Sequence, residues 1–367
     1  MSPTTLKTHK AIATPGPRQP LILIDVPTPA PENNEIQVRV QWNASTPLDL
    51  HQVDGGLLIQ IYPHVLGDSI AGIVTGLGPE TKHFSVGDKV FGFTFRNQKE
   101  RGQQEFVTAP ENLFGKIPAA WEKNIESIVT VPNNFVTVWN TITHDLGIEL
   151  PWPKPEGYLP PEGKQWLLVW GGSSSVGQYA LQVLKYYGFE NVLTTASKRH
   201  HEMLKALGAR DAFDYRDADV LDKILDGSGG EVKYVIDCIG SLRSSMEPIV
   251  KVATAGTTVA IMLPVIVKDA SDVDVPEYSL DVENIVQWEE GVIARGVRTH
   301  FYLENKFLAD HLQSEIMPTM VASGDIKPNK YRIVEGNDML ERAQKAIDLL
   351  RNREVSGERL VKRVCED

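Results

Sequence analysis

The stretch Gln165-Trp-Leu-Leu-Val-Trp-Gly-Gly-Ser-Ser-Ser-Val-Gly-Gln-Tyr-Ala-Leu-Gln-Val-Leu-Lys185 decides the fold. It reads as a buried strand, a glycine-rich turn and a helix. Leu167, Leu168, Val169 and Trp170 form the short apolar run of a parallel strand covered on both faces. Gly171, Gly172 and Gly177 permit a tight turn and close backbone approach. Val176, Ala180, Leu181, Val183 and Leu184 give the following helix an apolar stripe. A helix entered through such a turn offers free backbone N–H groups and a positive dipole end to a pyrophosphate. Ser173, Ser174 and Ser175 add hydroxyls to that cradle. Gly172 and Gly177 stand at the outer positions of G-x-G-x-x-G, and Ser174 takes the middle one.

Downstream of the turn, strands and helices alternate. Asn191 to Thr195 is a second strand, and Arg199 to Leu207 a helix stopped by Gly208. Asp211 to Tyr215, Tyr234 to Gly240 and Thr257 to Met262 are further strands, and Arg298 to Leu303 a last one. This alternation predicts an α/β doubly wound parallel sheet, with its ligand beyond the strand C-termini. The acidic segment Val265 to Asp281 reads as an irregular surface loop.

Upstream the texture is β. Glu35 to Trp42 alternates polar and apolar residues, and glycines interrupt Tyr62 to Gly78, as in a curved, barrel-like sheet. Gly87-Asp88 is a turn between β runs, and Asn43 to Asp54 reads as a loop. Trp121 to Gly147 has helical spacing, with Asn133 or Asn134 available as a cap. Asp310 to Ala322 and Asn337 to Arg351 are amphipathic helices, and Arg359 to Val364 is a terminal strand returning to the first β portion.

With 367 residues the chain is long enough for about two domains. A net charge of −11 argues against nucleic acid or an anionic membrane as partner. No apolar run approaches the roughly 20 residues of a membrane span, and Met1 to Lys10 lacks the apolar core of a signal peptide, so a cytoplasmic location is expected. Cys238 and Cys365 are too few for a disulfide framework or a four-cysteine zinc site.

Cofactor choice is legible at the end of the second strand. Enzymes that use NAD place an acid there, about 20 residues after the turn, for the ribose 2′-OH. Here the chain reads Thr195-Ala-Ser-Lys-Arg-His-His201, without an acid. Ser197 and Lys198, with Arg199 beside them, suit a 2′-phosphate and predict NADPH.

Several motifs in order give the chain a family resemblance. They include Asp25-Val-Pro-Thr-Pro29, Leu66-Gly-Asp-Ser-Ile-Ala-Gly72, Phe84-Ser-Val-Gly-Asp-Lys-Val-Phe-Gly92, the 171–177 turn, Asp237-Cys-Ile-Gly240 and Ser356-Gly-Glu-Arg-Leu-Val361. Together they resemble the medium-chain dehydrogenase/reductase superfamily, in its zinc-independent branch of quinone oxidoreductases and enoyl reductases. Trp170 to Gly177 is similar to fungal members, among them trans-acting enoyl reductases that work beside polyketide synthases. The resemblance implies a GroES-like β-barrel catalytic domain over residues 1–133 and 300–367, and a Rossmann NADPH-binding domain over 134–299. It implies cofactor contacts at Pro47 in the loop from Thr46 to Asp49, at Thr137, at Ser173, Ser174, Ser175 and Val176, at Tyr215, at Met262 and Leu263, and at Val355 and Ser356.

Zinc alcohol dehydrogenases of this fold carry Gly-His-Glu where this chain has Gly67-Asp68-Ser69, and no cysteine precedes Cys238. A metal set of His51, His64 and Asp68 is set aside on that ground, and no metal is expected. Without a Lewis acid to generate an alkoxide, hydride delivery to an electron-poor carbon remains. The expected activity is reduction of an α,β-unsaturated carbonyl in a small molecule, free or carried on a synthase. A broad quinone or aldehyde reductase and a catalytically silent, crystallin-like binding protein stand as alternatives. Tyr62 and His51 are proton donors by residue type only, and no catalytic residue is assigned. Charge and proline in 265–281, next to the sheet edge, point to a monomer.

Overall fold

Alternation in the first β portion is explained by one strand that buries every second side chain. Elements are numbered along the chain: β1 (Thr8–Thr14), β2 (Ile22–Pro27), β3 (Glu35–Ala44), β4 (His64–Val65), β5 (Ser69–Leu77), β6 (Lys89–Phe93), β7 (Phe106–Pro110) and β8 (Phe114–Lys116). Ile36, Val38, Val40 and Trp42 of β3 are buried. β3 pairs antiparallel with β5, and the register slips twice, between Gln37 and Val38 and between Val40 and Trp42. At the second slip the strands approach closely: a Cβ on Gly72 would stand 2.1 Å from the Arg39 carbonyl oxygen. The glycines read as signs of curvature are therefore where two backbones meet.

In this computed structural model, which describes residues 7–271 and 273–365, the chain divides into two units. Residues 1–6, part of the segment read for an apolar leader, and Asp272 of the acidic stretch lie outside the described residues. Unit one comprises Met1–Asn133, Ala270–Val273 and Leu303–Asp367, and unit two Asn134–Asp269 and Asp274–Tyr302.

Unit two carries β9 (Leu167–Trp170), β10 (Val192–Thr195), β11 (Asp211–Phe213), β12 (Tyr234–Asp237), β13 (Thr258–Met262), β14 (Val265–Lys268), β15 (Glu277–Ser279) and β16 (Ile293–Val297). Six of these form a parallel sheet in the order β11-β10-β9-β12-β13-β16. The strand order reverses beside β9, between β10 and β12, so the glycine turn sits at the topological switch point. All four residues of β9 are buried, as are Ala180, Leu181, Val183 and Leu184 of the helix Ser175–Tyr187 that follows. The predicted Rossmann sheet and GroES-like β domain are both present. The chain then returns to unit one through β17 (Tyr331–Ile333) and β18 (Arg359–Arg363), with β18 antiparallel to β3.

Four expectations are corrected. The loop expected over 43–54 contains the helix Pro47–Gly55. Pro47 opens it, the Asp49 carboxylate accepts the Thr46 amide at 3.0 Å, and Gly56 closes it with φ +65°. The helical run expected over 121–147 is broken by Pro132, which starts the helix Pro132–Asn140, so Asn133 and Asn134 lie inside the first turn rather than capping it. The acidic segment 265–281 contains the antiparallel hairpin β14–β15. The last parallel strand is β16, before the expected 298–303, and Thr299–Glu304 is a tight helical turn.

The close approach at the glycine turn gives a stability test. A Cβ on Gly177 would lie 2.6 Å from the Gly171 carbonyl oxygen and 2.7 Å from the Gly172 Cα, both backbone atoms. Gly177→Ala is expected to lower stability by about 1–3 kcal/mol. Thermal or denaturant melting checks this, and a melt equal to the parent's would contradict it.

Candidate functional site

Hydrogen bonds to β10 hold the glycine turn. Gly171 has φ +84°, where glycine is favoured, and its amide donates to Thr195 Oγ1 at 3.0 Å. The Gly172 amide donates to the Thr195 carbonyl at 2.9 Å. Ser174 caps the helix: its Oγ accepts the Gly177 amide at 3.0 Å. Ser175 Oγ accepts from Asn134 Nδ2 at 2.8 Å. The backbone amides of Ser173 and Val176 have no acceptor among the described residues. Two unsatisfied amides at the mouth of a capped helix fit a dinucleotide pyrophosphate.

Asp237 shapes the neighbouring strand end. It is fully buried and accepts the amides of Ile239 (2.9 Å) and Gly240 (3.1 Å) and the Ser245 hydroxyl (2.7 Å). Burial pushes its carboxyl up to about 6 against those hydrogen bonds. The turn it fixes places Ile239 against Gly171, where a Cβ would meet Ile239 Cδ1 at 2.5 Å.

On the opposite side of β9, the Ala196 amide donates to the Phe213 carbonyl at 2.9 Å and joins the ends of β10 and β11. Ala196 is buried, and Ser197 and Lys198 follow it outward. Neither the Ser197 hydroxyl nor the Lys198 ammonium has a partner among the described residues. Tyr215, after β11, is 46% exposed. Met262 ends β13, and Leu263 follows and packs over Gly296 of β16, where a Cβ would meet its Cδ1 at 2.7 Å. Ser173, Ser174, Ser175, Val176, Ser197, Lys198, Tyr215, Met262 and Leu263 thus line the C-terminal edge of one sheet. Thr137 lies in the same unit on the helix Pro132–Asn140, its Oγ1 bonded to Thr299 Oγ1 at 3.1 Å. Pro47, Val355 and Ser356 belong to unit one. Pro47 is the first helical residue, Val355 packs against Val334, Ala346 and Leu360, and Ser356 lies in the turn before β18.

Unit one contains a polar core that sequence reasoning missed. Asp68 Oδ2 accepts from Asn133 Nδ2 at 2.6 Å, and Oδ1 accepts from Ser69 Oγ at 3.2 Å. Asp49 Oδ1 accepts the Gly67 amide at 3.2 Å. Lys362 is 3% exposed and donates to Ser45 Oγ at 2.6 Å, while Arg359 Nε donates to the Ser45 carbonyl at 3.1 Å. Burial pushes the Lys362 ammonium down to about 8, opposed by Asp49 and Asp68. Burial, with Asp49 beside it, pushes the Asp68 carboxyl up, opposed by Arg359 and Arg101. Burial and then Arg101 push His64 down to about 4, and its Nδ1 pairs with Gln98. Among the described residues no three His, Cys, Asp or Glu side chains form a metal cluster. Two buried cations, Arg359 and Lys362, and the half-buried Arg101 share this core with the two aspartates, an environment that disfavours a further divalent ion. No sequence pattern links these residues.

Comparisons with known proteins match this architecture. A family model described as an alcohol dehydrogenase GroES-like domain matches residues 32–137, and one described as a zinc-binding dehydrogenase matches residues 175–278. The trans-enoyl reductase tazE of Aspergillus terreus is 33% identical over 260 residues, covering 65% of this chain and 80% of that protein. The trans-enoyl reductase himH of Aspergillus japonicus is 29% identical over 341 residues, covering 89% of each. Among solved structures, the CurK enoyl reductase superposes with a TM-score of 0.76 at 16% identity, covering 97% of this chain and 99% of that one. The quinone oxidoreductase of Coxiella burnetii gives 0.70 at 23% identity, covering 98% and 100%. Both share the fold.

One buried carboxyl in unit two yields a pH test. Asp145 is 4% exposed, and one of its oxygens has no hydrogen-bond partner. Burial pushes it up to about 7 from 3.8, opposed by Arg295 of β16. A carboxyl raised in the folded state takes up protons on folding, so its contribution to stability falls as pH rises from about 4 through about 7. Asp145→Asn removes that slope: the variant is expected to melt above the parent at pH 8 and close to it at pH 4. Melting curves across that range check this, and equal pH slopes would contradict it.

Proposed function

This chain belongs to the medium-chain dehydrogenase/reductase superfamily, and from that footing we propose that it is an NADPH-dependent reductase of α,β-unsaturated carbonyl compounds. Its coarser character is that of an NAD(P)H-dependent oxidoreductase related to enoyl and quinone reductases. The observation that carries the choice of NADPH is the end of β10, where Ala196 is buried and the unpartnered Ser197 hydroxyl and Lys198 ammonium stand in place of an acid.

When bound, NADPH supplies the hydride. Every other contribution comes from the chain. The Ser173 and Val176 amides hold the pyrophosphate, and Ser174 and Ser175 fix their direction by capping the helix and bonding Asn134. Ser197 and Lys198 take the 2′-phosphate, and the exposed Tyr215 ring takes the adenine side. Met262, Leu263 and Thr137 flank the nicotinamide end, with Thr299 holding the Thr137 hydroxyl. The family resemblance adds Pro47, Val355 and Ser356 to the expected cofactor contacts. The polar core built on Asp68 and Lys362 carries cations of its own, which disfavours a divalent ion there and supports an acceptor that is already electron-poor. Two similar fungal proteins carry the name trans-enoyl reductase, which supports an enone or enoyl thioester, free or carried on a synthase.

Titration with NADPH, followed by NADPH oxidation over enoyl thioesters, enones and quinones, tests this. Turnover of enoyl thioesters or enones is expected. Turnover of quinones alone would transfer the chain to the quinone-reductase alternative, and failure to bind either nucleotide would remove both. Lys198→Ala is expected to raise the NADPH Kd about tenfold or more with little change for NADH, because it removes one charge-assisted contact to phosphate.

A further inference from the structure

The corner where β10 and β11 end holds an acid that the NADPH assignment leaves out. Asp214 follows β11 and is 9% exposed. Its Oδ2 accepts the Lys198 amide at 3.2 Å and Arg216 Nη2 at 2.6 Å. Its Oδ1 accepts the Arg216 amide at 3.1 Å and Arg216 Nε at 2.9 Å. One carboxylate thus fixes the turn that carries Ser197 and Lys198 and also holds a guanidinium in a two-pronged grip. The Arg216 side chain is 61% exposed and its guanidinium carbon lies 5.5 Å from the centroid of the Tyr215 ring. A guanidinium has five N–H donors, and Asp214 uses Nε and Nη2, so Nη1 remains for another acceptor.

The amides that Asp214 accepts account for the acid, but the Arg216 side chain is 61% exposed, and an ion pair to so exposed a group adds little to stability. An acid near the ribose selects the 2′-OH of NADH and repels a 2′-phosphate. Here that acid is saturated by the arginine. We propose that the Asp214–Arg216 pair sets cofactor choice. Arg216 serves as a second cation for the 2′-phosphate beside Lys198, and by occupying Asp214 it keeps that carboxylate from accepting the 2′-OH of NADH. This inference rests on the NADPH assignment and adds to it a residue whose removal reverses the preference. Hydrogen bonds from Arg216 hold the Asp214 carboxyl below the usual carboxylate range, so the pair is ionised in the parent.

The test is equilibrium binding of NADPH and NADH to the full chain, read by fluorescence quenching or calorimetry, for the parent, Arg216→Ala, Arg216→Gln, Asp214→Asn and Arg216→Ala/Asp214→Asn. Removing Arg216 is expected to weaken NADPH about tenfold or more and to tighten NADH severalfold, as expected for loss of one charge-assisted contact and exposure of an acceptor. Adding Asp214→Asn to Arg216→Ala is expected to cancel the gain for NADH. A tightening for NADH cannot come from misfolding, and Arg216→Gln, with its melting temperature measured, repeats the test with a larger side chain kept. If the parent prefers NADPH but the NADPH-to-NADH ratio is unchanged in both Arg216 variants, the pair has no role and the NADPH assignment stands. A parent that binds neither nucleotide, or prefers NADH, overturns both.

Discussion

A side chain at Gly177 would collide with the carbonyl oxygen of Gly171, and a side chain at Gly172 would stand 2.0 Å from Thr194 Oγ1. Much in the second unit depends on this closeness. It lets the helix Ser175–Tyr187 start directly above the end of β9, at the point where the sheet reverses its order. The helix then buries its apolar stripe, and the Ser173 and Val176 amides are left without an acceptor among the described residues. The glycines let the backbones touch, and the turn they form leaves those two amides open.

The first unit solves a different problem. It places Asp49, Asp68, Arg359 and Lys362 in its interior, with Arg101 half-buried beside them, where isolated charges are costly. The charges offset one another, and hydrogen bonds from Asn133, Ser69, Ser45 and the Gly67 amide satisfy what remains near the aspartates and the lysine. A core of this kind has a fixed charge balance of its own.

Much of the fold was legible because it follows period and punctuation. The run Leu167–Trp170, the glycine turn and the alternation beyond it specify a parallel sheet without reference to distant residues. Of the residues expected to hold a cofactor in the second unit, Ser197, Lys198, Tyr215, Met262 and Leu263 lie at or just beyond the ends of those strands, where the same pattern put them. The helix Pro47–Gly55 was not, because its buried residues are Asp49, Gln52, Val53 and Asp54 and it carries no apolar stripe. It is stabilised instead by partners far along the chain: Arg351 donates to both Asp54 oxygens, at 2.9 and 2.7 Å. The charged core was hidden likewise, since Arg101, Arg359 and Lys362 come from segments with no shared pattern. The hairpin β14–β15 was masked by its acidic composition, and β16 by the arginine and glycine within its five residues.

The proposed delivery of hydride to the β-carbon of an unsaturated carbonyl is tested most directly by isotope tracing. The chain would be incubated with NADPH carrying deuterium at both hydrogens of nicotinamide C4 and a short enoyl thioester, and the product read by mass spectrometry and NMR. The account predicts one deuterium per product molecule, on the β-carbon, with the carbonyl intact. Deuterium on the carbonyl carbon, or oxidation of the nucleotide with none in the thioester, would contradict it.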